Sequence, residues 1–265
     1  MGKLLLVGCG KMGGAMLEGW LARGLAASDA LVVEPIEALR PRKDGLHCVA
    51  SSDEIRETPE IVVLAVKPQT MDAVLPDLRR FADGGAVFLS IAAGKTLKYF
   101  AGHLGATAKV VRSMPNTPAA VRQGITVACA AAGVSDAEKK RCQELLEAVG
   151  QALWVEDETL IDPVTALSGS GPAYVFLLVE AMAAAGTKLG LSPDMAMQLA
   201  RATVAGSGEL LRQSSEPASQ LRVNVTSPGG TTAAALKVLM AADGIQPVFD
   251  KALAAASRRS KELAG

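Results

Sequence analysis

Short apolar runs alternate with helical stretches over the first part of the chain, and then the short runs stop. Leu4-Leu5-Leu6-Val7, Ala30-Leu31-Val32-Val33, Ile61-Val62-Val63-Leu64-Ala65-Val66 and Ala86-Val87-Phe88-Leu89-Ser90-Ile91 are too short for helices and apolar nearly throughout. Strands buried on both faces have that composition. Val110-Val111 opens a further strand, Ile125-Thr126-Val127-Ala128 reads as another, and Ala152-Leu153-Trp154-Val155 is placed to close the sheet edge. In Ser135-Asp136-Ala137-Glu138 an N-cap serine is followed three residues on by a glutamate, which starts a helix that ends before Gly150. The pattern predicts an α/β fold with a doubly wound parallel sheet.

Beyond about Glu156 the strand signals vanish. Segments rich in Ala, Leu and Met follow: Glu158 to Leu167, Ala173 to Leu189, Pro193 to Leu211, Pro217 to Val225, Thr231 to Ala242, and Ile245 to Leu263. They predict a second, all-helical domain, which divides the chain into 1–156 and 157–265. The stretch from Ala173 to Gly186 is apolar nearly all round and must be covered on several sides. So few helices can hardly do this within one monomer, which points to a helix-swapped or closely packed homodimer; a central helix in a compact monomer is the alternative.

The first strand runs into Gly8-Cys9-Gly10-Lys11-Met12-Gly13, and a helix-forming stretch, Ala15 to Leu21, follows at once. In this setting Gly8 permits a tight turn, Gly10 lets backbone approach a pyrophosphate, and Gly13 allows close helix-to-strand packing. The free N–H groups at the helix start face the anion. The expected guest is a dinucleotide in a Rossmann-like domain; an ordinary strand-to-helix turn in a chain with 26 glycines is the plain alternative. Glu34, at the end of the second strand, stands where such a fold places the acid that holds the adenine ribose hydroxyls. Its carboxylate argues for NAD, whereas Arg40, Arg42 and Lys43 follow closely and could neutralise a 2′-phosphate. The choice between NADH and NADPH stays open at this point.

Composition narrows the function classes. The 27 basic and 27 acidic side chains cancel, and aromatics make up 3%, so neither the charge nor the stacking platforms of a nucleic-acid binder are present. Cys9, Cys48, Cys129 and Cys142 form no C-x-x-C pair and have no His-rich partner sequence, which argues against a metal site and a disulfide framework. A cytoplasmic, reducing setting fits. No secretory pattern precedes the first strand, and Ala173 to Ala185 is too short to span a bilayer and contains Glu180, so no membrane is expected and a buried helix is.

The equipment for alcohol oxidation is missing. His47, placed in a loop after a second helix, and His103, near a helix end, both lie outside the loops that leave the carboxyl ends of the strands. Those loops are Lys67-Pro68, Ala92-Ala93-Gly94 and Arg112-Ser113-Met114-Pro115-Asn116-Thr117-Pro118, where ligands gather in such sheets. Reduction of a carbon–nitrogen double bond needs less, because a protonated imine is already electrophilic and hydride delivery is mostly placement. In the second domain, Thr226-Ser227-Pro228-Gly229-Gly230-Thr231-Thr232 gathers hydroxyls and free N–H groups at a helix start. That suits a carboxylate, or is an N-cap behind a tight turn. Leu167-Ser168-Gly169-Ser170-Gly171-Pro172 similarly opens the apolar helix.

With Gly8 to Gly13, Ala65-Val66-Lys67-Pro68, Ser90 to Gly94, Arg112 to Pro118, Ala166 to Tyr174 and Val225 to Thr232 assembled, the chain resembles the pyrroline-5-carboxylate reductases almost end to end. The resemblance implies a dinucleotide-binding domain and a helical dimerisation domain that interlocks two subunits, with larger rings built from such dimers. It implies that NADPH or NADH lies along Gly8, Cys9, Gly10, Lys11, Met12 and Gly13, Ser52, Val66, Lys67 and Pro68, and Ile91, Ala92 and Ala93. The pyrroline carboxylate would be held by Ser227, Gly229, Gly230, Thr231 and Thr232, with Thr232 donating a proton to the ring nitrogen and Glu158 near the substrate across the dimer. Two positions depart from the family pattern. Leu221-Arg222-Val223-Asn224-Val225 lacks a Lys-Asp pair often found there, and Glu34 replaces a neutral residue of many relatives.

Two rivals remain. A β-hydroxyacid dehydrogenase would need a catalytic lysine and asparagines on a second-domain helix, and neither type occurs between Pro172 and Thr187. A silent dinucleotide-binding sensor needs one nucleotide pocket and no second anion site.

Overall fold

The computed structural model describes residues 3–264. Eight strands form one sheet in the order β3-β2-β1-β4-β5-β6-β7-β8. They are β1 (Leu4–Val7), β2 (Ala30–Val33), β3 (His47–Val49), β4 (Ile61–Leu64), β5 (Val87–Ser90), β6 (Lys109–Met114), β7 (Gly124–Ala130) and β8 (Gly150–Trp154). The helices that accompany the sheet are α1 (Lys11–Ala22), α2 (Met71–Asp83), α3 (Leu97–Leu104), α4 (Asp136–Glu147) and the short α5 (Ile161–Val164).

Alternate residues of the central strands feed opposite cores. Leu4 and Leu6 point to the face carrying Met16, Leu17 and Trp20 of α1 and Leu146 of α4. Leu5 and Val7 point to the face carrying Leu75 and Leu78 of α2 and Phe100 of α3. Both faces are therefore dry, which is why β1, β2, β4 and β5 are buried at every position. Each fully buried Leu or Phe contributes roughly 1.5–3 kcal/mol of transfer free energy.

Several expectations need correction. β6 and β7 are antiparallel, so the sheet is parallel except at that one pairing; β7 and β8 run parallel again. Arg112 and Ser113 belong to β6 rather than to a rim loop, because the ladder with β7 continues through them to Met114. His47 opens β3, paired with Leu31, and the segment before it holds only a 3-10 turn, Glu37–Leu39, instead of a second helix. The capping box at Ser135 forms as read, with Glu138 N–H donating to the Ser135 hydroxyl and Ser135 N–H to the Glu138 carboxylate.

The chain divides into two compact units, one running to Ser170 and taking back residues from Ala256 on, the other Gly171–Ala255. The segment after Glu156 counts with the first unit because it is anchored on the sheet: Ile161 is buried with Val127 and Cys129 of β7. The last turns of α10 (Ile245–Ala264) are tied to the same segment by Ser260, whose hydroxyl donates to Asp162 at 2.6 Å. Leu167 to Pro172 is also not a fresh helix start. A π turn, Thr165–Gly169, carries the helix on from α5 into α6 (Gly171–Lys188).

The second unit comprises α6, α7 (Pro193–Gln213), α8 (Ala218–Asn224), α9 (Thr231–Leu239) and the first part of α10. Its buried apolar residues are Ala183, Ala196 and Ala200, where α6 and α7 pack closely. The expectation of a buried α6 fails for the single chain: Phe176 and Leu177 are each 63% exposed. The helical run Glu158–Lys188 is long and apolar enough to cross a membrane by length and composition alone, a longer stretch than Ala173 to Ala185. Its first turns, however, are rooted in the first unit's core through Ile161 and Ala166.

Candidate functional site

The glycine turn is built as a phosphate cradle. Gly8 has φ +91°, and a Cβ there would lie 2.9 Å from the Ala65 carbonyl oxygen and the Val66 side chain. A Cβ on Gly13 would collide with the Gly8 carbonyl oxygen, so α1 can sit this close to β1 only with glycine. Gly10 is different, since a Cβ there would meet nothing within 4 Å. It leaves backbone bare at the start of α1, where no side chain caps the helix and no acid occupies the first turn. Free N–H groups and the positive helix end therefore face open space, which suits a pyrophosphate.

That space is a cavity of about 430 Å³ at the carboxyl ends of the strands, beside parallel β1 and β4, from which the chain continues to opposite sides of the strand order. Of the residues expected to touch a dinucleotide, Gly8, Gly10, Glu34, Ser52, Val66 and Lys67 line it. Cys9, Lys11, Met12 and Gly13 make the turn and the first turn of α1, and Pro68 starts the 3-10 turn that follows Lys67. Ile91, Ala92 and Ala93 leave β5 one strand further along the same edge and do not line this cavity. Ile36 and Leu39, brought in by a 3-10 turn after β2, and Ser51, just past β3, also line it and do not stand out in the sequence.

Glu34 is 5% exposed. Its Oε2 accepts from Cys9 N–H at 2.8 Å and its Oε1 from Ile36 N–H at 2.9 Å. Burial first, then the Glu34 charge, pushes the Cys9 thiol up to about 11, so it stays protonated and unreactive near neutral pH. Arg40 does not face the cavity: its Nε donates to the Glu34 carbonyl at 2.7 Å and its Nη2 to that of Pro35 at 3.2 Å.

Glu158 is engaged inside its own unit. Its Oε1 accepts from Arg112 Nη1 at 2.7 Å and from Leu97 N–H at 2.8 Å, and the Arg112 residue is 3% exposed. Asn116 binds the loop to both sides, accepting from Ile125 N–H at 2.9 Å and donating to the Ser168 hydroxyl at 3.3 Å. Neither histidine lines the cavity: His47 opens an outer strand, and His103 Nε2 stands 3.3 Å from Asp72 in the first turn of α2.

In the second unit, Thr226 to Thr232 forms a tight turn closed by Gly230 N–H donating to the Ser227 carbonyl at 3.0 Å, with Gly229 at φ +72°. Gly230 then caps α9 without a side-chain bond, and the first turn carries no acid. Ser227 and Thr231 are exposed and Thr232 is half-buried. Hydroxyls of Ser227, Thr231 and Thr232 and the free N–H groups of one helix start are thus brought together. A small carboxylate is the chemical match.

The fold and the cradle define an oxidoreductase of the nicotinamide-dinucleotide class. Residues 158–263 match the family described as pyrroline-5-carboxylate reductase dimerisation, and residues 3–94 that described as NADP oxidoreductase, coenzyme F420-dependent. A pyrroline-5-carboxylate reductase of Pseudomonas aeruginosa is 42% identical over 99% of this chain and 97% of its own length, and one of Mycobacterium leprae is 39% identical over the same shares. The structure of a pyrroline-5-carboxylate reductase from Coxiella burnetii superposes with TM-score 0.91 at 34% identity, covering 100% of this chain and 99% of that one. That of Plasmodium falciparum pyrroline carboxylate reductase with NADP bound does so with TM-score 0.83 at 30% identity, covering 99% and 98%. The chain belongs to the pyrroline-5-carboxylate reductase family.

Proposed function

We propose that the chain reduces the cyclic imine 1-pyrroline-5-carboxylate to L-proline, the last step of proline biosynthesis, at the expense of NADH or NADPH. One observation supports the reading within this fold: the second unit carries an uncapped helix start, that of α9, with the hydroxyls of Ser227, Thr231 and Thr232, whose chemistry suits a second anion. A redox sensor has no use for it. The reduced nicotinamide supplies the hydride when bound. The chain supplies placement. Gly8 to Gly13 with Ser52, Val66, Lys67 and Pro68 hold the dinucleotide, and Ile91, Ala92 and Ala93 form the rim beside it. Ser227 and backbone N–H groups from Gly229, Gly230 and Thr231 hold the carboxylate, and the Thr232 hydroxyl gives its proton to the ring nitrogen.

Glu158 acts in this reading through Arg112 and the start of α3, which it ties together, and its half-open carboxylate keeps a route to substrate from the neighbouring subunit. The working unit is a homodimer formed through the helical unit, the building block of a larger ring, and the apolar surface of α6 supports it. Four free cysteines, three of them buried, fit a reducing, cytoplasmic setting. Thr232→Ala tests the chemistry: turnover should fall about a hundredfold or more while cofactor affinity stays within about twofold. Equal loss of both would remove Thr232 from the reaction.

A further inference from the structure

We propose that Glu34 makes this chain select the unphosphorylated dinucleotide, NADH, over NADPH. The inference rests on the reading that the glycine cradle holds a nicotinamide dinucleotide, and it opposes the phosphate named by the family that residues 3–94 match.

Glu34 lies just past β2, in the cavity that Gly8 and Gly10 also line. A carboxylate only accepts hydrogen bonds, so it can hold two ribose hydroxyls but has nothing to offer a phosphate dianion except repulsion. Each oxygen already takes one backbone N–H, from Cys9 and from Ile36, and has a second lone pair for a hydroxyl. Those two bonds also fix it. To swing away from a 2′-phosphate, a side chain that is 5% exposed would have to leave both of them, one of which closes the phosphate turn itself.

Among the described residues, the groups bonded to the Glu34 carboxylate are backbone N–H groups, not cations. Arg40 is held with its guanidinium on the carbonyl oxygens of Glu34 and Pro35 and is absent from the cavity wall. Arg42 and Lys43 are absent from it as well. Lys67 does line the cavity, but it follows β4, and β1 stands between β4 and β2. At the usual strand spacing that puts its backbone about 10 Å along the sheet edge from that of Glu34. Beside Glu34 the wall is uncharged: Ser51 and Ser52 follow β3, and Ile36, at 56% exposure, and Leu39 offer an apolar surface on which an adenine can lie.

The test uses the full-length protein, its Glu34→Gln variant and its Glu34→Ser variant. Calorimetric titration with ADP-ribose and with 2′-phospho-ADP-ribose, in the absence of any imine, reads the ribose subsite alone; kcat/KM with NADH and NADPH follows. The unphosphorylated ligand should bind the unmodified protein at least about tenfold more tightly, and both variants should move the ratio about tenfold or more toward the phosphorylated one. Glu34→Gln keeps shape and a carbonyl acceptor, so the test survives if the serine variant does not fold. Equal or tighter binding of 2′-phospho-ADP-ribose by the unmodified protein, or an unchanged ratio in Glu34→Gln, overturns the proposal. Selective binding without imine turnover upholds it while removing the reductase reading, and equal turnover with both cofactors does the reverse.

Discussion

At Gly13 there is no room for a methyl group, because the Gly8 carbonyl oxygen and Ala65 Cβ already occupy that position. Gly13→Ala therefore has to push α1 away from β1, which costs about 1–3 kcal/mol, and thermal denaturation should occur several degrees lower. Dinucleotide affinity should fall with it; a variant that melts and binds normally would show that the turn tolerates what its geometry forbids. The three motif glycines were legible because their spacing is local. Glu158 was not. Its partner Arg112 lies on β6, 46 residues away, so the chain order gives no hint of the ion pair that Glu158 makes. Glu158→Ala strands a nearly buried guanidinium and should cost about 3 kcal/mol, read as a fall in melting temperature. A normal melting curve with lost turnover would instead give Glu158 a purely chemical role.

Among the elements, α4 follows from its sequence more directly than most. Ser135→Ala removes its cap and should cost about 1 kcal/mol in chemical denaturation. Burial opposes ionisation of Glu138, but hydrogen bonds from Lys109 and Ser135 outweigh it and hold its carboxyl below the usual 4.5. A depressed folded-state value means that this stability is present above 4.5 and is lost as pH falls through the lower folded value. Lys109→Ala should therefore matter near neutral pH and matter less well below pH 4.5; a difference that grows in acid would contradict the pairing. The antiparallel turn from β6 to β7 was misread, although one clue was available. Only Pro115 to Gln123 lies between the two strands, too little chain for the crossover that parallel strands need. The π turn at Thr165–Gly169 has no such local clue; Met114, from distant β6, packs close to Gly169 there.

The whole molecule joins a well-buried α/β unit to helices whose apolar side chains face outward. The first unit has two cores of large side chains, whereas the buried apolar residues of the second are three alanines. Sequence periodicity already exposed this mismatch in α6, since no helix apolar all round is stable in water uncovered. Phe176→Asp, at a side chain with no role in the single chain's core, should shift the protein to a smaller species in sedimentation and reduce turnover. An unchanged sedimentation coefficient would place the subunit interface elsewhere.

Decay of nicotinamide absorbance in the presence of 1-pyrroline-5-carboxylate reads imine reduction itself. With NADH and NADPH run side by side, proline should form in step with cofactor oxidation, and kcat/KM should be higher with NADH. A protein that binds the dinucleotide but leaves it unoxidised in the presence of the imine would contradict the reductase reading.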